Sequence, residues 1–165
     1  MALNKKGIHQ LADALVAEQK RYDQDTFGER KYIGATCSSV CCLAGMSFAL
    51  QIGNRSFTAK VKAAENERYD GDFNAECEEA GRKQLGLKTP EEEFSDIFRS
   101  IYDWPNDLSK DYHANGPKWR VIAALKALQR LRPDGSIDPN PDAIHTRLPQ
   151  LKKLLAQKSE ADATR

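Results

Sequence analysis

The sequence predicts a mainly α-helical fold, a single-domain helical bundle around a buried central helix, with room for a short β-hairpin or strand that would make it α+β. Three observations carry this. Residues 40–52 are apolar at almost every position and carry no charge, and a helix apolar on all sides is normally enclosed by others. Residues 8–16 and 117–131 repeat apolar side chains at spacings of three and four, the period of an amphipathic helix. With 165 residues, the chain is long enough to bury roughly two thirds of its unfolded surface in one core.

The elements follow in order. Ile8, Leu11, Ala12, Leu15 and Val16 form the apolar stripe of a first helix that ends near Arg21. Residues 22–36 contain Gly28 and Gly34 without a clear period and read as a loop. The central helix follows over 40–52, with Ser38 or Ser39 as N-cap and Gly53-Asn54 as its stop. Gly45 in its middle implies close approach of another element, because a mid-helix glycine costs about 1 kcal/mol relative to alanine.

Residues 55–61 alternate loosely, with Phe57, Ala59 and Val61 on one side, and read as a short strand or an extended linker. Residues 73–85 form a helix closed by Gly86, which can adopt the left-handed conformation. Thr89-Pro90-Glu91-Glu92-Glu93 is a start signal: a cap, a proline at the first helical position, and acids at the positive end of the dipole. Phe94, Ile97, Phe98 and Ile101 give that helix its buried stripe, and Trp104-Pro105 breaks it.

A polar loop or short helical turn leads to Pro117, which opens a helix with Trp119, Ile122, Ala123, Leu125, Leu128 and Leu131 on its apolar face. Residues 132–141 are a turn-rich connector. Residues 143–157 resume a helical pattern interrupted by Pro149, docked by Leu148, Leu151, Leu154 and Leu155. The domain thus covers 1–157, and 158–165 is a polar, flexible tail.

Composition narrows the function classes. The chain is 40% hydrophobic and 30% charged, with 25 basic against 24 acidic residues and a net charge of +1, so neither a disordered acidic chain nor a basic nucleic-acid coat is indicated. Lys5, Lys6, Asp13 and Glu18 interrupt the N-terminal apolar pattern, which argues against a leader or membrane span and for a cytoplasmic protein. Four cysteines are too few for a disulfide scaffold and are read as free thiols.

Cys37, Cys41 and Cys42 raise the question of metal, since thiolates are zinc's favoured ligands. Their spacing is a poor match, because structural zinc sites draw paired ligands from separate turns, and Cys77, His9, His113 and His145 are each isolated. No metal and no cofactor is therefore assigned. Cys37 ahead of a helix start is the candidate for a reactive thiol, with His113 as a base brought near by folding. The competing expectation is that the cysteines act as small buried hydrophobes. Residues 70–78 place oxygen ligands at alternate positions as a calcium loop does, but Ala75 stands where a glycine is needed and Gly81 where a bidentate glutamate should close the shell.

Tyr102, Trp104, Tyr112, His113 and Trp119 are the densest aromatic segment, interleaved with Lys110, Lys118 and Arg120. Such a pattern suits stacking on single-stranded nucleic acid, yet Asp103, Asp107 and Asp111 offset the positive charge. Tyr102, Trp104, Tyr112 and Trp119 are the binding candidates, for a protein partner or a second copy ahead of nucleic acid. Glu92 and Glu93 read as capping acids. The chain shows no phosphate loop, no nucleophile elbow and no His-Glu-x-x-His pair.

The run Cys37-Ser-Ser-Val-Cys-Cys-Leu-Ala-Gly45 resembles the Cys-Gly-Thr-x-x-Cys-x-Ala-Gly segment of a group of small bacterial and phage proteins without established activity. Leu85-Gly86-Leu87, then Thr89-Pro90-Glu91-Glu92, then Trp104-Pro105 are similar to that group's later landmarks in the same order. Ser38 and Ser39 depart from its Gly-Thr, and Cys41 is an extra cysteine. The resemblance implies a shared fold over about 22–131 and transfers no catalytic residue. The first functional expectation is a non-catalytic interaction or regulatory module of a bacterium or phage; a thiol-dependent enzyme or redox or metal sensor using Cys37 is the alternative, and a nucleic-acid module the third.

Overall fold

The computed structural model describes residues 2–24, 42–66, 72–87, 96–114 and 116–157. Through them run α1 (Lys5–Ala17), α2 (Leu43–Ile52), α3 (Asn54–Glu65), α4 (Phe73–Leu85), α5 (Asn106–Tyr112), α6 (Pro117–Gln129) and α7 (Pro149–Ala156). The fold is mainly helical. Among the described residues no strand forms, and an isolated antiparallel bridge joins Leu131 to Ile137.

Helix α2 is the enclosed helix that the apolar run predicts. Leu43 to Ala49 are buried without interruption, and the one hydroxyl among them, Ser47, donates to the Leu43 carbonyl one turn back at 2.7 Å. It starts later than expected, at Leu43, because Cys42 has extended backbone and occupies the cap position. Ser38, Ser39 and Val40 lie outside the described residues. Gly53, with φ at +89°, ends α2 as expected, but Asn54 begins α3 at once.

The strand or linker expected over 55–61 is overturned by α3. Phe57 and Val61 are fully buried and four residues apart, a spacing that periods of two and of 3.6 share, while Ala59 between them is exposed. Ala64 extends the stripe by another three residues and packs against the core, which only the helical period explains.

α1, α2 and α4 are sewn together by backbone approach. Asn4 caps α1 by accepting the Gly7 N–H at 3.0 Å. The Asn4 N–H in turn donates to the Leu85 carbonyl at 2.9 Å, and Gln84 Nε2 donates to the Gly7 carbonyl at 2.9 Å. A Cβ on Gly7 would stand 1.8 Å from the Gln84 carbonyl oxygen, so only glycine permits this seam. Gly86 closes α4 in the left-handed region as the sequence predicts. Where α4 crosses α2, Gly81 lies against Phe98 and Ala44.

The single helix expected around 94–101 does not form over its described part. Asp96–Phe98 and Ile101–Asp103 are separate 3-10 turns, divided at Ser100, whose extended backbone and side chain cap the second. Ile97, Phe98 and Ile101 are buried nonetheless. The start signal over 89–93, and Phe94, lie outside the described residues. Of the loop or short helical turn expected after Trp104-Pro105, the helical alternative forms, as α5, with Pro105 at its cap position, so this proline starts a helix as well as ending a turn.

Helix α6 is a second enclosed element rather than a one-sided one. Val121 to Leu125 are completely buried in succession, because Ala123, Ala124 and Ala127 let α1, α5 and α7 approach on several sides. Just past its end, Arg130 is buried and grips Asp107 of α5 with two nitrogens at 2.7 and 3.3 Å, while its Nε donates to the Asp138 carbonyl at 2.8 Å.

The helix expected over 143–157 is confined to α7. Residues 143–148 are non-helical; Pro149 disfavours helical backbone at Leu148 before it and opens the helix. Gln129 holds this connector: its carbonyl accepts the N–H groups of His145 and Thr146 at 2.7 and 3.2 Å, and its side chain accepts that of Leu148 at 3.0 Å. Leu148, Leu151 and Leu154 dock α7 as expected, but Leu155 faces solvent. The tail at 158–165 lies outside the described residues.

Gly7→Ala is expected to destabilise the protein by about 2 kcal/mol in urea unfolding, because forced overlap at the seam outweighs the gain of about 1 kcal/mol in helix propensity. A neutral or stabilising result would show that α1 and α4 are not in such contact. Arg130→Ala is expected to cost about 2–3 kcal/mol in the same assay, below the usual loss for a broken buried pair because Asp107 keeps partial access to water.

Candidate functional site

Of the cysteine candidates, Cys37 and Cys41 lie outside the described residues. Cys42 stands at the N-cap of α2 and is almost wholly buried. Burial pushes its thiol up to about 11, overcoming the opposing amides of Gly45 and Ala44, and the nearby Asp23 carboxylate pushes the same way. At neutral pH it is a protonated, water-excluded thiol, the opposite of what a nucleophile or metal ligand requires. Cys77 is fully buried within α4. Among the described residues no group of three His, Cys, Asp or Glu is placed to hold a metal ion.

The acidic run near α4 is accounted for by helix architecture. Asp72 caps α4 by accepting the Ala75 N–H at 3.1 Å. Glu78 is buried and paired with Arg82 one turn on; burial holds its carboxyl above the usual range, while Arg82 opposes that shift. Asp70, Glu92 and Glu93 lie outside the described residues.

The aromatic segment divides sharply. Trp104 is buried, with its indole N–H donating to the Asp96 carbonyl at 3.0 Å. Tyr112 is buried, and Trp119 is half-buried against the core. These three therefore do not form an exposed patch. Tyr102 stands alone at 75% exposure, between the buried Ile101 and Trp104 on a 3-10 turn. The thiol to which His113 was assigned as a base, Cys37, lies outside the described residues. His113 is exposed and stacks on Tyr102, centroids 5.6 Å apart and planes tilted by 30°. The edge of His113 also meets Tyr112 at 5.2 Å, and the Arg120 guanidinium sits 5.7 Å over the Tyr112 ring.

Beneath this surface lies a buried polar knot. The Tyr112 hydroxyl donates to Asp23 at 3.0 Å and accepts the Gln24 N–H at 2.9 Å. Burial raises the Tyr112 hydroxyl far above its ordinary range, so it stays a proton donor. Gln24 accepts from the Tyr22 hydroxyl at 2.9 Å and donates through its side-chain amide to the carbonyls of Ile97 and Arg99 at 3.0 and 2.9 Å. Both carbonyls lie just before the turn bearing Tyr102, so Gln24 anchors the chain that leads into it. Sequence reasoning passed over Gln24, Asp23 and Arg130: a glutamine in a loop and an arginine at a helix end carry no pattern that marks them as buried.

The surface that results is a rigidly mounted aromatic pair beside a guanidinium. It offers flat apolar area, two exposed rings and positive charge, with no activated nucleophile. No helix among the described residues is long and apolar enough to cross a membrane. In comparisons with protein-family models, curated proteins and solved structures, none matched the chain.

Thiol labelling of the native protein is expected to leave Cys42 and Cys77 unmodified at pH 8, with both reacting once the chain is unfolded in urea. Rapid native labelling of Cys42 would contradict both its burial and its raised pKa.

Proposed function

We propose that the chain is a non-catalytic protein-interaction module, cytoplasmic and of bacterial or phage origin, that meets its partner at the surface formed by Tyr102, His113 and Arg120. The observation that carries this reading is the presentation of Tyr102. A large ring at 75% exposure lies between the buried Ile101 and Trp104, and the segment leading into its turn is held by hydrogen bonds from Gln24. Tyrosine and arginine are over-represented among residues that dominate binding energy. A ring already held in place loses little conformational entropy on binding. The buried polar side chains around it are engaged in structural hydrogen bonds, which supports a recognition role ahead of chemistry at this surface.

A photoreactive phenylalanine at position 102 tests the reading in cells that express the chain, with the same probe at the exposed Lys152 of α7 as control. Discrete cross-linked products from position 102 and none from 152 are expected; a product of twice the chain's mass identifies a second copy as partner. Absence of products at 102, or equal yields at both positions, would remove the reading.

A further inference from the structure

We infer that α7 is a latch released by acid: uptake of one proton by His9 of α1 breaks its contact with Gln150 and loosens α7 from α1. The inference is independent of the surface at Tyr102 and stands on a ladder along one side of α1. Lys5, His9 and Asp13 are spaced four apart, so they share a flank of the helix. Lys5 Nζ donates to the His145 carbonyl at 3.4 Å, in the connector before α7. Gln150, in the first turn of α7, donates through Nε2 to Asp13 Oδ1 at 2.8 Å and to His9 Nδ1 at 3.3 Å.

The two contacts together fix the protonation state of the ring. A carboxylate only accepts, so Asp13 decides which end of the Gln150 amide faces α1. The same NH2 group then faces His9 Nδ1, which can accept from it only as the bare ring nitrogen. A proton taken from solvent at Nδ1 turns that acceptor into a donor, and two donors oppose each other. Rotating the amide does not repair the contact. Gln150 Oε1 would then meet the Asp13 carboxylate, and the nitrogen would move to the place of an oxygen that is buried with no partner among the described residues. The imidazolium is also four residues from Asp13 on one helix, the spacing of an intrahelical ion pair, and competes with Gln150 for the carboxylate. Little else holds α7, whose buried residues are Leu151 and Leu154.

Asp13 favours the proton on His9; Lys5 and Lys6 on α1, and the exposed Arg147, Lys152 and Lys153 around Gln150, oppose it. α2 carries no charge. α4 bonds α1 at Gly7, about 200° round the helix from His9, and its Glu78 is paired with Arg82. On α6, Lys118 donates to the Gln157 carbonyl, Lys126 pairs with Asp111, and Arg120 lies over Tyr112. In the 3-10 turn Gln19–Arg21, Arg21 pairs with Glu18 and Lys20 is exposed. His145 acts in the opposite sense: its Nε2 lies 2.9 Å from Asp138 Oδ2, with Arg132 at 3.5 Å from the same carboxylate, so a proton there tightens the connector.

The test is hydrogen exchange read by mass spectrometry at about pH 7.5 and about pH 5.5, an interval that spans ordinary imidazole titration. Exchange of 149–157 is divided by that of α6 in the same molecule, which cancels the intrinsic pH dependence. The ratio is expected to rise about fivefold on acidification, the loss of one hydrogen bond. It should stay level in His9→Asn, which keeps an uncharged acceptor near the Nδ1 position. It should also stay level in Asp13→Asn, where the Gln150 amide is free to turn its oxygen to the imidazolium. His145→Gln should retain the rise. None of the three positions is buried, and circular dichroism should confirm an unchanged fold in each variant. A level or falling ratio in the native chain, a rise that survives His9→Asn or Asp13→Asn, or a rise abolished by His145→Gln would each overturn the inference.

Discussion

Helix α2 has no polar face to offer water, and the rest of the molecule is arranged around that constraint. A helix buried from Leu43 to Ala49 needs neighbours on every side, and the packing around it closes only because side chains are absent at two places where backbones meet. Gly81 lets α4 settle against Ala44, and Gly7 lets α1 come down on the end of α4. The seam is then tied by polar groups whose geometry leaves no slack: the Asn4 N–H on the Leu85 carbonyl and the Gln84 amide on the Gly7 carbonyl. Hydrophobic burial supplies the driving force, while these contacts select one packing among many that would bury similar area.

Legibility of the fold followed the strength of local signals. α1 and α6 were readable from their apolar stripes and α4 from its stop at Gly86, where a terminal glycine adopts the left-handed conformation expected of it. α3 was misread because Phe57 and Val61 satisfy two periods, and the deciding residue, Ala64, lay beyond the window considered. The division at Ser100 has a different origin. Apolar spacing over 97–101 suits a helix, but the Gln24 side-chain amide donates to the carbonyls of Ile97 and Arg99, and a competing long-range donor cannot be seen in local sequence. Pro149 was visible throughout; its effect as an opener rather than an interruption depended on Gln129 holding the preceding backbone.

For the candidate surface, the sequence could not separate exposed aromatics from buried ones. Four aromatics within 102–119 all counted as binding candidates, yet sequence spacing cannot tell an aromatic that faces the core from its neighbour that does not when the backbone between them turns rather than coils. Ile101 and Trp104 point inward and Tyr102 outward because a 3-10 turn separates them. His113 was noticed as a possible base for Cys37, which lies outside the described residues; its ring packs against Tyr102. The charge balance drawn from composition was correct in sum but silent about direction, which the Arg130 and Lys126 pairs set.

The Gln24 knot also bears on the order in which the molecule assembles. Arg130 and Asp107 are 23 positions apart in the chain, whereas Gln24 must find carbonyls 73 and 75 positions away. Loop-closure entropy grows with separation, and long-range contacts slow folding, so the C-terminal helices can pair before the strap from the N-terminal segment arrives. Until it does, the turn under Tyr102 lacks its anchor. The pose of this ring therefore depends on a contact between distant parts of the chain, and is fixed only once residue 24 has reached the carbonyls of Ile97 and Arg99.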